Sequence, residues 1–200
     1  MEAVVLDIGS VLEVIDDTVF PGPWCARLGV GRAELMTRLD SCLTGDPGLG
    51  EISEAELRDC WQRELSLSDG DADGLMATFW RWYAGELDVE LTSWFAGLRP
   101  RGLVVGILSN SCSGAREAER HWGFEAMTDD IVYSHEVGLA KPDPAVYALT
   151  AERLGVRPET IAFLDDVPAN VEAARACGWQ AVLHESTPAS IQAMEELLSS

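Results

Sequence analysis

Lysine occurs once in these 200 residues, at Lys141, beside thirteen arginines. Basic side chains are scarce altogether: fourteen Lys and Arg stand against thirty-four Asp and Glu, a formal net charge of −20. That deficit argues against nucleic acid as a partner, because phosphate backbones are held by basic surfaces. It also gives an anionic substrate no long-range attraction, so a phosphate site here must be a local cluster of donors with a metal. No apolar run approaches the roughly 18 residues of a membrane span, so no membrane partner is expected. The start, MEAVVLD, has neither a basic stretch nor a long apolar one, so it does not read as a signal peptide; the expected compartment is the cytoplasm. The five cysteines (Cys25, Cys42, Cys60, Cys112, Cys177) are odd in number and form no CxxC pair, which predicts reduced, mostly buried thiols rather than disulfides or zinc. No internal repeat, low-complexity tract or long linker is present.

What is present is an ordinary apolar content, 47%, enough for one core or for one core with a sizeable insertion. Short apolar runs ending in small or acidic residues recur: AVVLDIGSVL from residue 3, LVVGILSNS at 103–111, DIVYS at 130–134, TIAFLDDVP at 160–168 and QAVLH at 180–184. Each reads as a buried strand. Helical patterns separate them. SGAREAERHW stops at Gly123; DPAVYALTAERLG has Asp143 as N-cap, Pro144 at the first helical position and a stop at Gly155; NVEAARACG stops at Gly178. Strands alternating with helices predict an α/β fold, a Rossmann-like parallel sheet flanked by helices. Ligands in such sheets bind at the carboxyl ends of strands, where Asp7, Ser109, Asp165 and Asp166 fall.

Residues 14–87 break the alternation and show no convincing strand. SEAELRDCWQREL (53–65) is the clearest helix, with Ser53 and Glu56 as a capping box, and 45–51 reads as a loop. A small all-helical cap inserted after the first strand is therefore expected at 14–87, with the α/β core at 1–13 and 88–200. Four of the seven tryptophans, Trp24, Trp61, Trp80 and Trp82, fall in the insertion. They are expected in its core, with one of them lining a pocket as the sharper alternative.

Singly, an acid at a strand end is unremarkable. Two adjacent carboxylates after a buried strand, Asp165 and Asp166, repel each other unless a cation or hydrogen-bond donors neutralise them, and hard divalent cations take such oxygen ligands. VVLDIGSVL, VGILSNS, HEVGLAKPDPAVYALTAERLGV and IAFLDDVPANVEAARACGW, in this order and spacing, resemble the four motifs of the haloacid dehalogenase-like hydrolases, most of which are phosphatases. The insertion resembles that family's helical cap.

The resemblance implies roles. Asp7 is the nucleophile that forms an aspartyl-phosphate. Mg²⁺ is held by Asp7, the backbone carbonyl of Gly9 and one or both of Asp165 and Asp166, with Asp166 the direct ligand and Asp165 acting through water. Ser109 and the Asn110 backbone N–H hold phosphate oxygens, Lys141 pairs with nucleophile and phosphate, and Asn170 orders the acidic loop. The implied partner is a small phosphorylated metabolite, acted on by a monomer or homodimer. Lysine rather than arginine at 141 fits this role: a point charge on a flexible stem enters a crowded pocket that a planar fork does not.

One position departs from the pattern. Family phosphatases carry a second aspartate two residues after the nucleophile, as proton donor and then water activator; here it is Gly9. Three readings follow: a phosphatase for leaving groups that need little protonation or with a substitute acid, Asp16 and Asp17 being candidates; a 2-haloacid dehalogenase, which needs no proton donor but also uses no metal and lacks the double acid; or a protein that binds a phosphorylated ligand or a partner without turnover. His121, His135, His184 and Cys112 are expected to be structural.

Overall fold

In the computed structural model the described residues are 1–199. Strand β1 (Ala3–Leu6) runs into a tight turn and the two-residue strand β2 (Glu13–Val14). Four helices follow: α1 (Gly22–Leu28), α2 (Arg32–Ser41), α3 (Glu54–Leu65) and α4 (Asp69–Tyr83). Strand β3 (Glu86–Leu87) then returns beside β2, antiparallel, with Glu13 opposite Leu87. The rest alternates: α5 (Val89–Ala96), β4 (Val104–Ser109), α6 (Ala115–Glu119), α7 (Phe124–Met127), β5 (Asp130–Tyr133), α8 (Ser134–Val137), α9 (Pro144–Leu154), β6 (Ile161–Asp165), α10 (Pro168–Ala176), β7 (Gln180–Leu183) and α11 (Thr187–Leu198).

The main sheet is parallel throughout, in the order β5-β4-β1-β6-β7. Its strands are apolar on both faces, as a parallel sheet covered by helices requires. Val4, Leu6, Val105, Ile107 and Leu164 pack on one side with Leu91 and Phe95 of α5 and Met194 of α11. Ala3, Val5, Ile161 and Phe163 pack on the other with Val146 and Tyr147 of α9 and Val171 and Ala174 of α10. Leu6 is paired with Ile107 on one side and Leu164 on the other, which brings the carboxyl ends of β1, β4 and β6 level at one edge. Strand order reverses at β1, so a crevice opens there.

The local signals mostly hold. Asp143 caps α9, accepting from the Ala145 N–H at 2.9 Å, and the helix stops at Gly155 with φ 68°. Ser53 and Glu56 form the reciprocal capping box of α3. The β2–β3 ribbon was not expected; two residues per strand are too few to leave an alternating pattern. Helices α5 and α11 likewise lay outside the expected segments.

The four helices of the insertion share a core of Phe20, Trp24, Leu35, Leu57, Trp61 and Leu75. Trp24 and Trp61 are buried in it, and the Trp61 indole donates to the Leu39 carbonyl at 3.2 Å. The 45–51 loop lies against α8 so closely that a Cβ on Gly50 would sit 2.1 Å from the His135 carbonyl oxygen; its φ of +73° also suits glycine.

The cysteine expectation needs correction. Cys42, at the end of α2, and Cys60, in α3, are joined by a disulfide with Cα atoms 5.9 Å apart. Packing of α2 on α3 brings together two residues 18 apart in sequence, a proximity that spacing alone does not show. Cys25, Cys112 and Cys177 are free. No described helix is long and apolar enough to cross a membrane.

Candidate active site

The level strand ends gather the chemistry. Asp7 follows β1, Ser109 ends β4, and Asp165 ends β6 with Asp166 next in the chain. Lys141 arrives from the loop between α8 and α9. Its side chain is fully buried, and its Nζ lies 2.9 Å from Asp7 Oδ1 and 2.7 Å from Asp165 Oδ2. Asn110 fixes that loop by a reciprocal pair: its Nδ2 donates to the Lys141 carbonyl and its Oδ1 accepts from the Lys141 N–H, both at 2.8 Å. The Asn110 side chain is therefore a brace for lysine, which leaves its backbone N–H for any phosphate oxygen. The Ser109 hydroxyl has no hydrogen-bond partner among the described residues, although the residue is 2% exposed. Below Ser109, Ser134 Oγ accepts from the Ser111 N–H at 2.9 Å and holds the turn after β4.

The adjacent acids differ. Asp165 is pinned: besides Lys141 it accepts from the Val167 N–H at 2.9 Å and from Asn170 Nδ2 at 3.0 and 3.2 Å. Asn170 thus orders the acidic loop, and its own carbonyl accepts from the Tyr147 hydroxyl at 2.9 Å. Asp166 is half-buried and has no hydrogen-bonded side-chain partner among the described residues. One oxygen each of Asp7, Asp165 and Asp166 can be chosen so that all three lie within 4.8 Å of one another. Three carboxylates face one ammonium. Burial pushes the Asp7 carboxyl up to about 6 against the pull of Lys141, with Asp165 adding to the rise; burial and then Asp165 raise Asp166 as well. Such a group is under-neutralised, and an oxygen-only set of this size suits a hard divalent cation such as Mg²⁺, which would lower both.

Above the strand ends lies a cavity of about 160 Å³, lined by Gly9, Ser109 and Asn110 below, Trp82 and Tyr83 of α4 above, and Glu13, Ile15 and Glu119 at the side. Trp82 borders this cavity and also packs against the core of the insertion. Glu119 accepts from the Tyr133 hydroxyl at 2.6 Å. Burial pushes Glu119 up to about 7; burial, and then Glu119 beside it, pushes Glu13 up to about 10. Neither glutamate was anticipated. The available signal was an acid inside an apolar run, VLEVI, where a solvent-facing residue has no reason to be.

The other candidates lie off the cavity. Asp16 is exposed and accepts from the Thr18 N–H at 2.9 Å, and Asp17 pairs with Arg32 and with the Trp82 indole at 3.2 Å. His121, His135 and His184 are bonded respectively to the Ala118 carbonyl at 2.8 Å, Ser111 Oγ at 2.7 Å and Ser190 Oγ at 2.9 Å. Burial pushes the Cys112 thiol up to about 12, which keeps it protonated and unreactive at neutral pH.

The haloacid dehalogenase-like hydrolase family model matches residues 2–178. The chain belongs to that family. Among its curated relatives is "Phosphatase MT3486" of Mycobacterium tuberculosis, 39% identical over 87 residues that cover 42% of this chain and 40% of the relative. The chain spans less than half the length of the relatives first matched. Among solved structures, the HAD family enzyme BT-2542 of Bacteroides thetaiotaomicron, in complex with magnesium and inorganic phosphate, superposes with a TM-score of 0.75 at 20% identity, over 92% of this chain and 94% of that one. A 2-haloacid dehalogenase from Pseudomonas syringae superposes with 0.68 at 18% identity, over 92% and 86%. At these identities the structures show the shared fold.

Proposed function

We propose that this haloacid dehalogenase-like hydrolase is a phosphatase that uses Mg²⁺ and hydrolyses a small phosphate monoester through an aspartyl-phosphate on Asp7, with residues 14–87 as cap and 1–13 with 88–200 as core. The observation that carries the reading is the imbalance at the strand ends: one ammonium, Lys141, between two carboxylates, and a third, Asp166, with no ion-pair partner among the described residues. A carboxylate can displace halide without a metal. The unpartnered Asp166 beside Asp7 favours the metal-assisted alternative, as do the phosphatase relative and the magnesium–phosphate complex of the structural neighbour.

Mg²⁺ would be held by Asp7, the Gly9 carbonyl and Asp166, with Asp165 kept back by its bonds to Lys141 and Asn170; it would neutralise the approach of an anionic nucleophile to a phosphate dianion. The free oxygen of Asp7 attacks phosphorus. Lys141 steadies both Asp7 and a phosphoryl oxygen, while the Ser109 hydroxyl and the Asn110 N–H hold others where charge develops. The attack splits one difficult displacement into two steps. Trp82 and Tyr83 close the cavity from above and exclude water during the first step.

The test is phosphate release from acyl phosphates, sugar 1-phosphates, sugar 6-phosphates and nucleotides, with Mg²⁺ and with a chelator, beside Asp7→Asn. Turnover that needs Mg²⁺ and Asp7 supports the reading. Halide release from a 2-haloacid in the presence of chelator, without phosphate release, overturns it in favour of a dehalogenase.

A further inference from the structure

Trp82 and Tyr83 border a second cavity as well as the one over the strand ends, and this second one measures about 250 Å³. Three further rings line it, Phe20, Trp61 and Phe79, and most of the remaining wall is aliphatic. Phe79 sits at the centre of these rings, edge-on to Phe20 at 5.7 Å and to Trp61 at 5.1 Å, and 5.9 Å from Tyr83. Among the described residues no lysine or arginine lines the cavity, and its one charged neighbour is an acid, Asp40. Packed interiors leave few voids larger than a water molecule, and an apolar cavity of about 150 Å³ stays dry and takes up benzene. A cavity of this size and lining suits a ring system somewhat larger than benzene, and it does not suit an anion.

The two cavities adjoin. Trp82 and Tyr83 border both, and the turn after β4 reaches both as well: Ser109 and Asn110 line the first, Cys112 the second. A molecule whose phosphate meets Ser109 and Asn110 therefore has the apolar cavity beside it. The leaving group is constrained independently. Position 9, two after Asp7, is a glycine with no side chain, and a Cβ built there meets no atom within 4 Å. The acids that border the strand-end cavity, Glu13 and Glu119, are 1% and 2% exposed. The described residues lining that cavity thus offer no exposed carboxyl to protonate an oxygen as it leaves phosphorus. An alkoxide is a strong base and departs slowly without a proton, whereas a phenolate is a far weaker base and departs without one.

We propose that the substrate is the phosphate monoester of a phenol, with its aromatic ring in the apolar cavity of the insertion and its phosphate at the strand ends. This names the substrate class of the site proposed above and rests on Asp7 being the phosphate-accepting nucleophile. In the first step an Asp7 oxygen bonds to phosphorus and the P–O bond to the ring oxygen breaks. The electron pair of that bond leaves with the phenolate, which takes its proton from water. In the second step a water oxygen bonds to phosphorus and the P–O bond to Asp7 breaks, which returns the carboxylate and releases dihydrogen phosphate. The rings of the cavity offer edge and offset contacts to a planar ring, worth more than its area alone. A sugar placed there would leave its hydroxyls unpaired.

The test separates ring size from leaving-group acidity. Phenol and 2-naphthol are of nearly equal acidity, so the second ring of 2-naphthyl phosphate adds apolar area and little else. Its kcat/KM with Mg²⁺ should exceed that of phenyl phosphate by about tenfold. Cyclohexyl phosphate matches the phenyl ring in size but leaves as an alkoxide, and it should turn over about 100-fold or more slowly. Met36→Trp, which fills the apolar cavity from α2, should bring the naphthyl-to-phenyl ratio close to one. A ratio at or below one in the parent, cyclohexyl turnover equal to phenyl, or an unchanged ratio in the folded variant overturns the proposal. In each of these cases Mg²⁺-dependent phosphate release from acetyl phosphate leaves the phosphatase reading standing. A parent enzyme that releases phosphate from none of these esters nor from acetyl phosphate removes both readings together. Should Met36→Trp not fold, competition against acetyl phosphate decides: 2-naphthylphosphonate inhibiting about tenfold more tightly than phenylphosphonate supports a ring in the cavity, and equal inhibition refutes it.

Discussion

At the strand ends, Asp7 and Asp165 share the Lys141 ammonium at 2.9 and 2.7 Å; at the side of the cavity above them, the buried Glu13 makes no ion pair among the described residues. Both places bury acids, yet one compensates charge and the other suppresses it. At the strand ends the Lys141 ammonium works against the burial that raises Asp7, so the charge there is partly compensated. Burial pushes both glutamates toward the neutral form, and Glu119 adds to the rise of Glu13. Burial raises acids in both places, and only the strand ends set a cation against it.

Substitutions test that contrast. The largest effect is expected at the nucleophile: Asp7→Asn should lower Mg²⁺-dependent phosphate release by about 10⁴-fold or more, measured by steady-state assay of the folded variant. Next is the cation. Lys141 is enclosed between two carboxylates with its side chain fully buried, so a guanidinium fork has no room there. Lys141→Arg should cost about 10²-fold or more in turnover, and a near-normal rate would show that any positive charge suffices.

The glutamate side is tested through pH. In the unfolded chain Glu119 titrates near 4.5, and in the fold near 7. Below 4.5 both states are protonated and the group is neutral to stability. Between 4.5 and 7 the unfolded state has lost its proton and the folded state has not, so stability falls as pH rises, by roughly 2–3 kcal/mol over the window. Glu119→Gln keeps an acceptor for the Tyr133 hydroxyl and cannot ionise. Its melting temperature should decline less than the parent's between pH 4.5 and 7; an identical decline would mean that Glu119 is charged in the fold. The smallest effect separates the adjacent acids. Asp166→Asn should raise the Mg²⁺ concentration for half-maximal activity by about tenfold with little change in melting temperature. Asp165→Asn should instead lower the melting temperature, because Lys141, Asn170 and the Val167 N–H all lean on that carboxylate.

The strand-end half of this contrast was legible in the sequence, and the glutamate half was not. Asp7, Ser109, Lys141 and Asp165 each sit at a marked place: the end of an apolar run, or a lysine in a chain of arginines. Their meeting follows from a parallel sheet whose strands end together. The expectation for Asn110 concerned its backbone N–H alone; its side chain clasps the Lys141 backbone, a contact between residues 31 apart that no local pattern encodes. Glu13 and Glu119 come from a two-residue strand and a five-residue helix, elements too short to show periodicity, and they meet only because the chain turns back around Ile8. The same limit hid the Cys42–Cys60 bond, which depends on how α2 packs on α3. Asp16 and Asp17, chosen for closeness in sequence to Asp7, point to solvent and to Arg32 instead.

The most direct measurement is to mix the enzyme and Mg²⁺ with a phosphate monoester labelled on phosphorus, quench in acid within the first turnover, and locate the label by peptide mass analysis. A phosphoryl group on the peptide that carries Asp7, released by hydroxylamine as an acyl phosphate should be, is the predicted result. Label appearing only as inorganic phosphate at the earliest times, with no enzyme-bound species, or label bound at a residue other than Asp7, would contradict it.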